Sequence, residues 1–292
     1  MRYRIVTLTP ELAMAWLDSM PEYQRKPSDA VVAEYAKDMR EGRWVEGTGD
    51  AFRFNKADQM IDGQHRCLAV VESGVTIKVI VIEGLDDEVY LVLDKGRKRT
   101  AGDAIGGKNA NVRAACAKAL IALENGTQLA SILSGNTSSK NNPISATEIA
   151  EYALENEALV TSVVNCFAKL KAANSGRFSA PVATCLYAYA AEMTGNAETF
   201  GDFCHELVKP VQERQTVLTM AREKAASFNI VKGKSKNATL FAIFAIAFKN
   251  WLSGTTPRII QTSAITKDPN VVPVRRDWAI EKASRNAREE TR

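Results

Sequence analysis

Histidine is nearly absent from this chain: 292 residues contain two, His65 and His205. The five cysteines (Cys67, Cys116, Cys166, Cys185 and Cys204) are odd in number, scattered, and nowhere spaced as C-x-x-C. These shortages argue against a disulfide framework and against a zinc site, and they place the chain in a reducing cytoplasm. No basic stretch followed by an apolar core stands at the N-terminus, so no secretory signal is expected. Long apolar runs are missing as well. The most apolar helix candidate, "ATLFAIFAIAFKNWL" (238–252), is shorter than the roughly 20 residues that span a bilayer and reads as a core helix, with no membrane partner. No internal repeat is visible.

What remains is an ordinary globular composition, 46% hydrophobic and 25% charged, long enough for one large domain or two of usual size. The net charge of +4 is unevenly spread. Through Ile105 the chain has 15 Lys and Arg against 18 Asp and Glu, near −3, which leaves the remainder near +7. That segregation fits a polyanion such as DNA as partner of the C-terminal part. It fits equally a protein that binds none.

Patterning divides the chain in the same place. Residues 3–8 read as a strand, followed by a helix with Thr9 as N-cap and Pro10 at its first position. "PSDAVVAEYAKDMREG" (27–42) reads as a helix capped by Ser28, with Val31, Val32, Tyr35 and Met39 on one face and a stop at Gly42. "DAFRFN" (50–55) and "QMI" (59–61) form a hairpin about "KAD". A helix over 63–74 and strands in "TIKVIVIEGL" and "VYLVLD" complete this part. Beyond about residue 100, helical patterns succeed one another (111–125, 145–156, 158–173, 179–194, 197–208, 211–227, 238–252), with "RIIQT" the one strand candidate. "LSGNTSSKNNP" (133–143) and "VKGKSKN" (231–237) read as surface loops. The expected fold class is α+β, a small mixed-sheet domain over 1–105 followed by an all-α domain over 106–292.

The chemistry concentrates in "DGQHR" (62–66), where a strand feeds through Asp-Gly into a helix. The first N–H groups of that helix lack intrahelical partners and carry its positive end, which suits an anion. Gly63 lets a ligand approach the backbone. His65 and Arg66 add donors, Arg66 as a bidentate fork for phosphate oxygens. Asp62 is placed to hold a metal ion or accept a hydroxyl proton. A plainer reading stands beside this one: Asp62 caps the helix, and His65 and Arg66 make structural bonds. "LDKGRKRTAGD" (93–103) gathers Lys95, Arg97, Lys98 and Arg99 ahead of Thr100, the cap of another helix. "EYQRKPSD" (22–29) places Gln24 and Arg25 ahead of a helix.

Taken in order, "YQRKPSDAVVAEYAKDMREGRW", "IDGQHRCLAVVESG" and "LDKGRKRT" resemble the ParB/sulfiredoxin superfamily, in the DGQHR-type branch frequent in bacteriophages and DNA-modification loci. Gln24 and Arg25 resemble the ParB segment ahead of the first helix. Gly63, Gln64, His65 and Arg66 resemble the nucleotide-phosphate turn. The likeness covers about the first 105 residues. It implies a bound nucleotide, ATP or CTP, with phosphates at Gln24, Arg25, Gly63, Gln64, His65, Arg66, Arg97, Arg99 and Thr100. Gln64 stands where sulfiredoxins carry the nucleophilic cysteine and ParB proteins a glutamate, which argues against peroxiredoxin repair and against a CTP-gated clamp. Superfamily members that phosphorylate a free amino acid also place an acid beside a D-G-x-H-R turn. That likeness implies phosphoryl transfer or NTP hydrolysis with Asp62, His65 and Arg66 as catalytic residues, Asp62 as base or Mg²⁺ ligand.

The C-terminal part resembles no family. Its stretch 144–173 fits a helix-turn-helix, with Ser145 as cap and Glu148 in capping-box position, and fits equally two helices of a bundle. Lys169, Lys171, Arg177, Lys232, Lys234 and Lys236 are candidate nucleic-acid contacts. Cys204 and His205 have no third ligand nearby and read as core or surface residues. Three functions follow from the sequence: a phosphotransferase or NTPase, a non-catalytic DNA-binding protein gated by nucleotide, and a metal-dependent nuclease. The last lacks a tight carboxylate cluster, since Asp62 has only Asp94 and Asp103 as helpers. The partners implied are a nucleotide, DNA and a second copy of the chain.

Overall fold

The computed structural model describes residues 1–265, apart from 23, 25, 49, 87, 88, 90–99, 139–142, 175–177, 211–214, 228–235 and 264. In chain order its first elements are β1 (Arg2–Leu8), α1 (Pro10–Asp18), α2 (Asp29–Arg40), β2 (Phe52–Asn55), β3 (Met60–Asp62), α3 (Gln64–Ser73) and β4 (Ile77–Leu85). Helices follow: α4 (Ala101–Ile105), α5 (Ala110–Glu124), α6 (Leu129–Leu133), α7 (Ala146–Glu155), α8 (Glu157–Ala173), α9 (Ala180–Thr194), α10 (Glu198–Leu207), α11 (Val217–Ser227) and α12 (Lys236–Leu252). The class is mixed α+β.

Local chemistry accounts for the start of α1, the turn of the hairpin and the end of α3. Thr9 Oγ1 accepts the Leu12 N–H at 3.3 Å, and Pro10 occupies the position where a missing N–H leaves nothing unpaired. At the hairpin, the buried Asn55 Oδ1 accepts the Ala57 and Gln59 N–H groups at 3.0 and 2.8 Å, which satisfies the polar atoms that its burial removes from water. α3 ends as the sequence implies, with Gly74 left-handed at φ 70° and its N–H on the Val70 carbonyl.

The four strands form one sheet in the order β1-β4-β2-β3. β4 runs antiparallel to β1 and parallel to β2, while β2 and β3 are the antiparallel hairpin. A parallel pair needs a crossover, and the segment from β2 to β4 supplies it through β3 and α3. Alternation along "AFRFN" sends Phe52 and Phe54 into the core against Trp16, with ring centroids 5.3 and 5.2 Å away, and leaves Arg53 on the other face.

The chain divides into two compact units, Met1–Thr100 with Ser138–Glu148, and Ala101–Thr137 with Ile149–Arg292. The sequence pattern breaks near 105, but it does not show that 138–148 belongs with the first unit. Charged groups of α2 hold it there. Lys37 Nζ donates to the Pro143 carbonyl at 2.9 Å and to Glu148 Oε2 at 2.8 Å. Asp38 Oδ1 accepts from Ser145 Oγ and from Arg43 Nε, each at 2.9 Å. The stretch 133–143 is therefore not wholly a surface loop: 134–136 are exposed, while Thr137 is buried and the Pro143 carbonyl is bonded.

Ser145 is the cap that the sequence implies, its Oγ accepting the Glu148 N–H at 3.0 Å. Because the same hydroxyl serves Asp38, Ser145→Ala should lower stability by about 2 kcal/mol, the sum of a lost cap and a lost bond to a charged group. Urea titration of the full chain checks this; a change under about 0.5 kcal/mol would show that water replaces both bonds.

In the second unit α9 and α12 are almost wholly buried helices, and α5, α8 and α10 also pack on α9. Phe200, Phe203, Phe248 and Trp251 form one aromatic cluster. α12 is the core helix expected, and among the described residues no helix is long and apolar enough to cross a membrane. "RIIQT" (258–262) is not a strand. Its Ile260 is buried singly and its carbonyl accepts from Lys224 Nζ, so one anchored residue takes the place of a ladder. The segment 211–227 is helical only from Val217, residues 211–214 lying outside the described residues.

Candidate functional site

β3 ends at Asp62 and α3 begins at Gln64, so the whole change of direction falls on Gly63, at φ 121°. Side chains rarely tolerate that conformation. Space excludes them as well, since a Cβ at 63 would lie 2.2 Å from Cδ1 of Phe52. The sequence reading gave this glycine to a ligand's approach. The structure adds a packing reason: the room a side chain would need is filled by the Phe52 ring.

Asp62 does not cap α3, which starts without a side-chain cap. Its Oδ2 instead faces two guanidiniums, forming a very short ion pair with Arg53 Nη1 and a longer one, 3.5 Å, with Arg66 Nη2. Arg66 is held on every side. Nη1 donates to the Asp50 carbonyl at 2.6 Å, Nη2 to the Ala51 carbonyl at 3.0 Å, and the guanidinium carbon lies 4.3 Å from the centre of the Phe52 ring. The fork read from sequence as a phosphate grip is thus engaged by the protein's own acceptors in this state.

His65 Nε2 accepts the Ser28 N–H at 3.0 Å. A ring nitrogen that accepts carries no proton, so this bond requires the neutral imidazole with its proton on Nδ1. Ser28, at the N-cap position of α2, makes no cap bond with its side chain, contrary to the capping role expected of it; its backbone N–H is instead anchored to α3. Gln24 Nε2 donates to the Ile61 carbonyl at 3.0 Å and the Met60 carbonyl at 3.4 Å. Two of the three sequence motifs therefore meet, Gln24 on β3 and Ser28 on the first turn of α3. Gln64 is half-buried at the head of α3.

Arg25, Arg97 and Arg99 lie outside the described residues, as do Lys95, Lys98, Arg177, Lys232 and Lys234. Thr100 is exposed directly before α4. Lys171 is exposed with Nζ 5.7 Å from the Phe167 ring centre, Lys169 is half-buried on the same helix, and Lys236 is the exposed first residue of α12. α7 and α8 are separated by Asn156 alone, whereas a DNA-reading helix-turn-helix uses a turn of roughly 3–4 residues. α8 packs on α5, α9 and α10, which is the bundle arrangement.

All five cysteines are buried. Burial pushes the Cys67 thiol up to about 12 against the opposing pull of Arg66, and pushes Cys116 up to about 12 as well. Cys166 is held below its usual range by the hydrogen bond with Cys204, but it too is shielded. The native protein should therefore resist Ellman's reagent at pH 8 and expose all its thiols once unfolded; rapid labelling of Cys67 in the folded chain would contradict this. The sign of the pH effect follows. A thiol with a raised folded pKa stays protonated in the fold while the unfolded chain ionises, so its stabilising contribution is intact below about pH 8.5 and is lost as pH rises towards 12.

Arg53 was not legible as a site residue. In a regular hairpin closed by Asn55 and Gln59, with Phe54 opposite Met60, Arg53 would face Ile61. The ladder shifts between Arg53 and Phe54, and Arg53 pairs with Asp62. Among the described residues no three His, Cys, Asp or Glu side chains gather as a metal-ligand set. Compared with protein-family models, curated proteins and solved structures, the chain matches none.

Proposed function

We propose that this chain is a ParB/sulfiredoxin-like nucleotide-binding protein of phage or bacterial DNA metabolism. The turn 62–66 holds the phosphates of a nucleoside triphosphate, ATP or CTP, and promotes phosphoryl transfer or hydrolysis. One observation carries this reading: a helix start without a side-chain cap opens beside two guanidiniums that share a single carboxylate. Two positive charges and the helix end, worth about half a charge, face one negative charge, so the turn attracts a further anion. The bonds of Gln24 to the Ile61 carbonyl and of the Ser28 N–H to His65 support the family likeness.

In this reading the first N–H groups of α3 and the Arg66 fork bind the phosphates, and Arg66 offsets the charge that develops on the transferred group. A Mg²⁺ ion bound here would supply charge neutralisation for the phosphates. Asp62 is the one residue of the turn suited to hold it, with the phosphates supplying further oxygens. A second reading, nucleotide-gated DNA binding without turnover, is favoured by the engagement of Asp62 with both arginines. It assigns DNA contacts to Lys169, Lys171, Arg177, Lys232, Lys234 and Lys236. A metal-dependent nuclease finds no supporting carboxylate group among the described residues.

The experiment is a binding panel of ATP, CTP and GTP with and without duplex DNA, with phosphate release followed. Saturable binding with release supports catalysis. Binding without release, together with DNA affinity that falls steeply with salt, supports the gated reading. Absence of binding at millimolar nucleotide sinks both.

A further inference from the structure

The ion pairs at the turn are unequal in number of charges. Arg53 and Arg66 converge on one atom, Asp62 Oδ2, and the three side chains keep 29%, 14% and 21% of their surface accessible. The cluster carries a net charge of +1 and is reachable from solvent. A carboxylate oxygen between two guanidiniums has the donor geometry that a phosphate oxygen would take, since planar forks receive either anion. Phosphate carries more charge and more acceptor oxygens, so it competes for the same donors from a stronger position.

We propose that Asp62 is a built-in surrogate for a ligand phosphate, and that Arg53 is a phosphate-binding residue of the site. The terminal phosphate of a nucleoside triphosphate displaces the Asp62 carboxylate from Arg53 and Arg66. The exchange hands both guanidiniums to the ligand and turns Asp62 towards the phosphate, where it is available for proton acceptance or a metal ion. Binding and activation are thereby coupled, and the empty site is kept from exposing two unpaired arginines. Arg66 keeps its bonds to the Asp50 and Ala51 carbonyls and acts as the fixed member of the pair. Arg53, bonded among the described residues otherwise only to the Ala51 carbonyl at 3.3 Å, is the member that swings. This inference rests on the nucleotide-phosphate reading above and specifies how the site is regulated.

The test is calorimetric binding of ATP and of inorganic tripolyphosphate to the full chain in EDTA, so that no metal role of Asp62 enters. Asp62→Asn keeps the shape and a neutral acceptor for Arg53 while removing the competing charge. It should tighten both ligands by about tenfold, the scale of one charge-assisted hydrogen bond. Arg53→Gln should weaken both by about tenfold, and in the double variant the gain from Asp62→Asn should disappear. Circular dichroism verifies each fold, and Asp62→Ser replaces Asp62→Asn where the latter does not fold. If the wild type binds and Arg66→Gln does not, yet Asp62→Asn binds no tighter, the surrogate role is overturned and the nucleotide reading survives. If Arg53→Gln binds like the wild type, Arg53 is only a structural partner and the proposal fails. If the wild type binds neither ligand, the nucleotide reading and this proposal fall together.

Discussion

Gly63→Ala should destabilise the N-terminal unit by about 4 kcal/mol. Two penalties add. A non-glycine residue forced to φ 121° is strained by roughly 1–3 kcal/mol, and a Cβ 2.2 Å from an aromatic carbon forces Phe52 or the turn to shift at a similar cost. The ring has little freedom to yield, because it packs against Trp16 on one side and carries the Arg66 guanidinium on another. Urea denaturation followed by tryptophan fluorescence measures the loss. Adding Phe52→Leu should recover part of it, since the clash is relieved while the backbone strain stays. A drop below about 1 kcal/mol for Gly63→Ala would mean that the turn adapts, and that glycine is there for another reason.

The same turn shows what a single sequence discloses. Thr9-Pro10, Asn55 at the hairpin, and Gly74 at the end of α3 act within a few residues of themselves, and each signal was legible. The hairpin too could be read, because two short apolar runs flank a polar turn. Strand order could not: β2 lies parallel to β4 with β3 outside, and alternation tells which face a residue takes but not which strand lies beside it. Lys37 and Asp38 look like ordinary solvated charges of an amphipathic helix, yet they are buried because a segment about 100 residues later brings Glu148, Ser145 and the Pro143 carbonyl to them. At the candidate site, "DGQHR" was conspicuous by its density of functional groups. Its partners were not. The bulge that turns Arg53 to Asp62, the carbonyls that hold Arg66, and the ring that fixes Gly63 are all products of register and packing.

Those partners change how the most obvious substitution should be interpreted. Arg66→Ala should lower stability by about 3 kcal/mol whether or not a nucleotide ever binds, because it takes the Arg66 donor from the Asp50 carbonyl, leaves the Ala51 carbonyl to Arg53 at 3.3 Å, and uncovers Phe52. Arg66→Lys should recover less than half, since one ammonium cannot span two carbonyls and stack on a ring at once. Urea titration of both variants measures this; equal stability of Arg66→Lys and the wild type would show that charge alone matters at 66. Loss of nucleotide binding in Arg66→Ala at 37 °C thus confounds two effects, and a functional role needs a readout that unfolding does not move. The affinity of Arg66→Lys supplies one, measured at 10 °C where the variant is folded. A residue that serves only the fold would leave that affinity within about twofold of the wild type, whereas a residue whose two nitrogens grip a phosphate should lose at least tenfold on becoming a point charge.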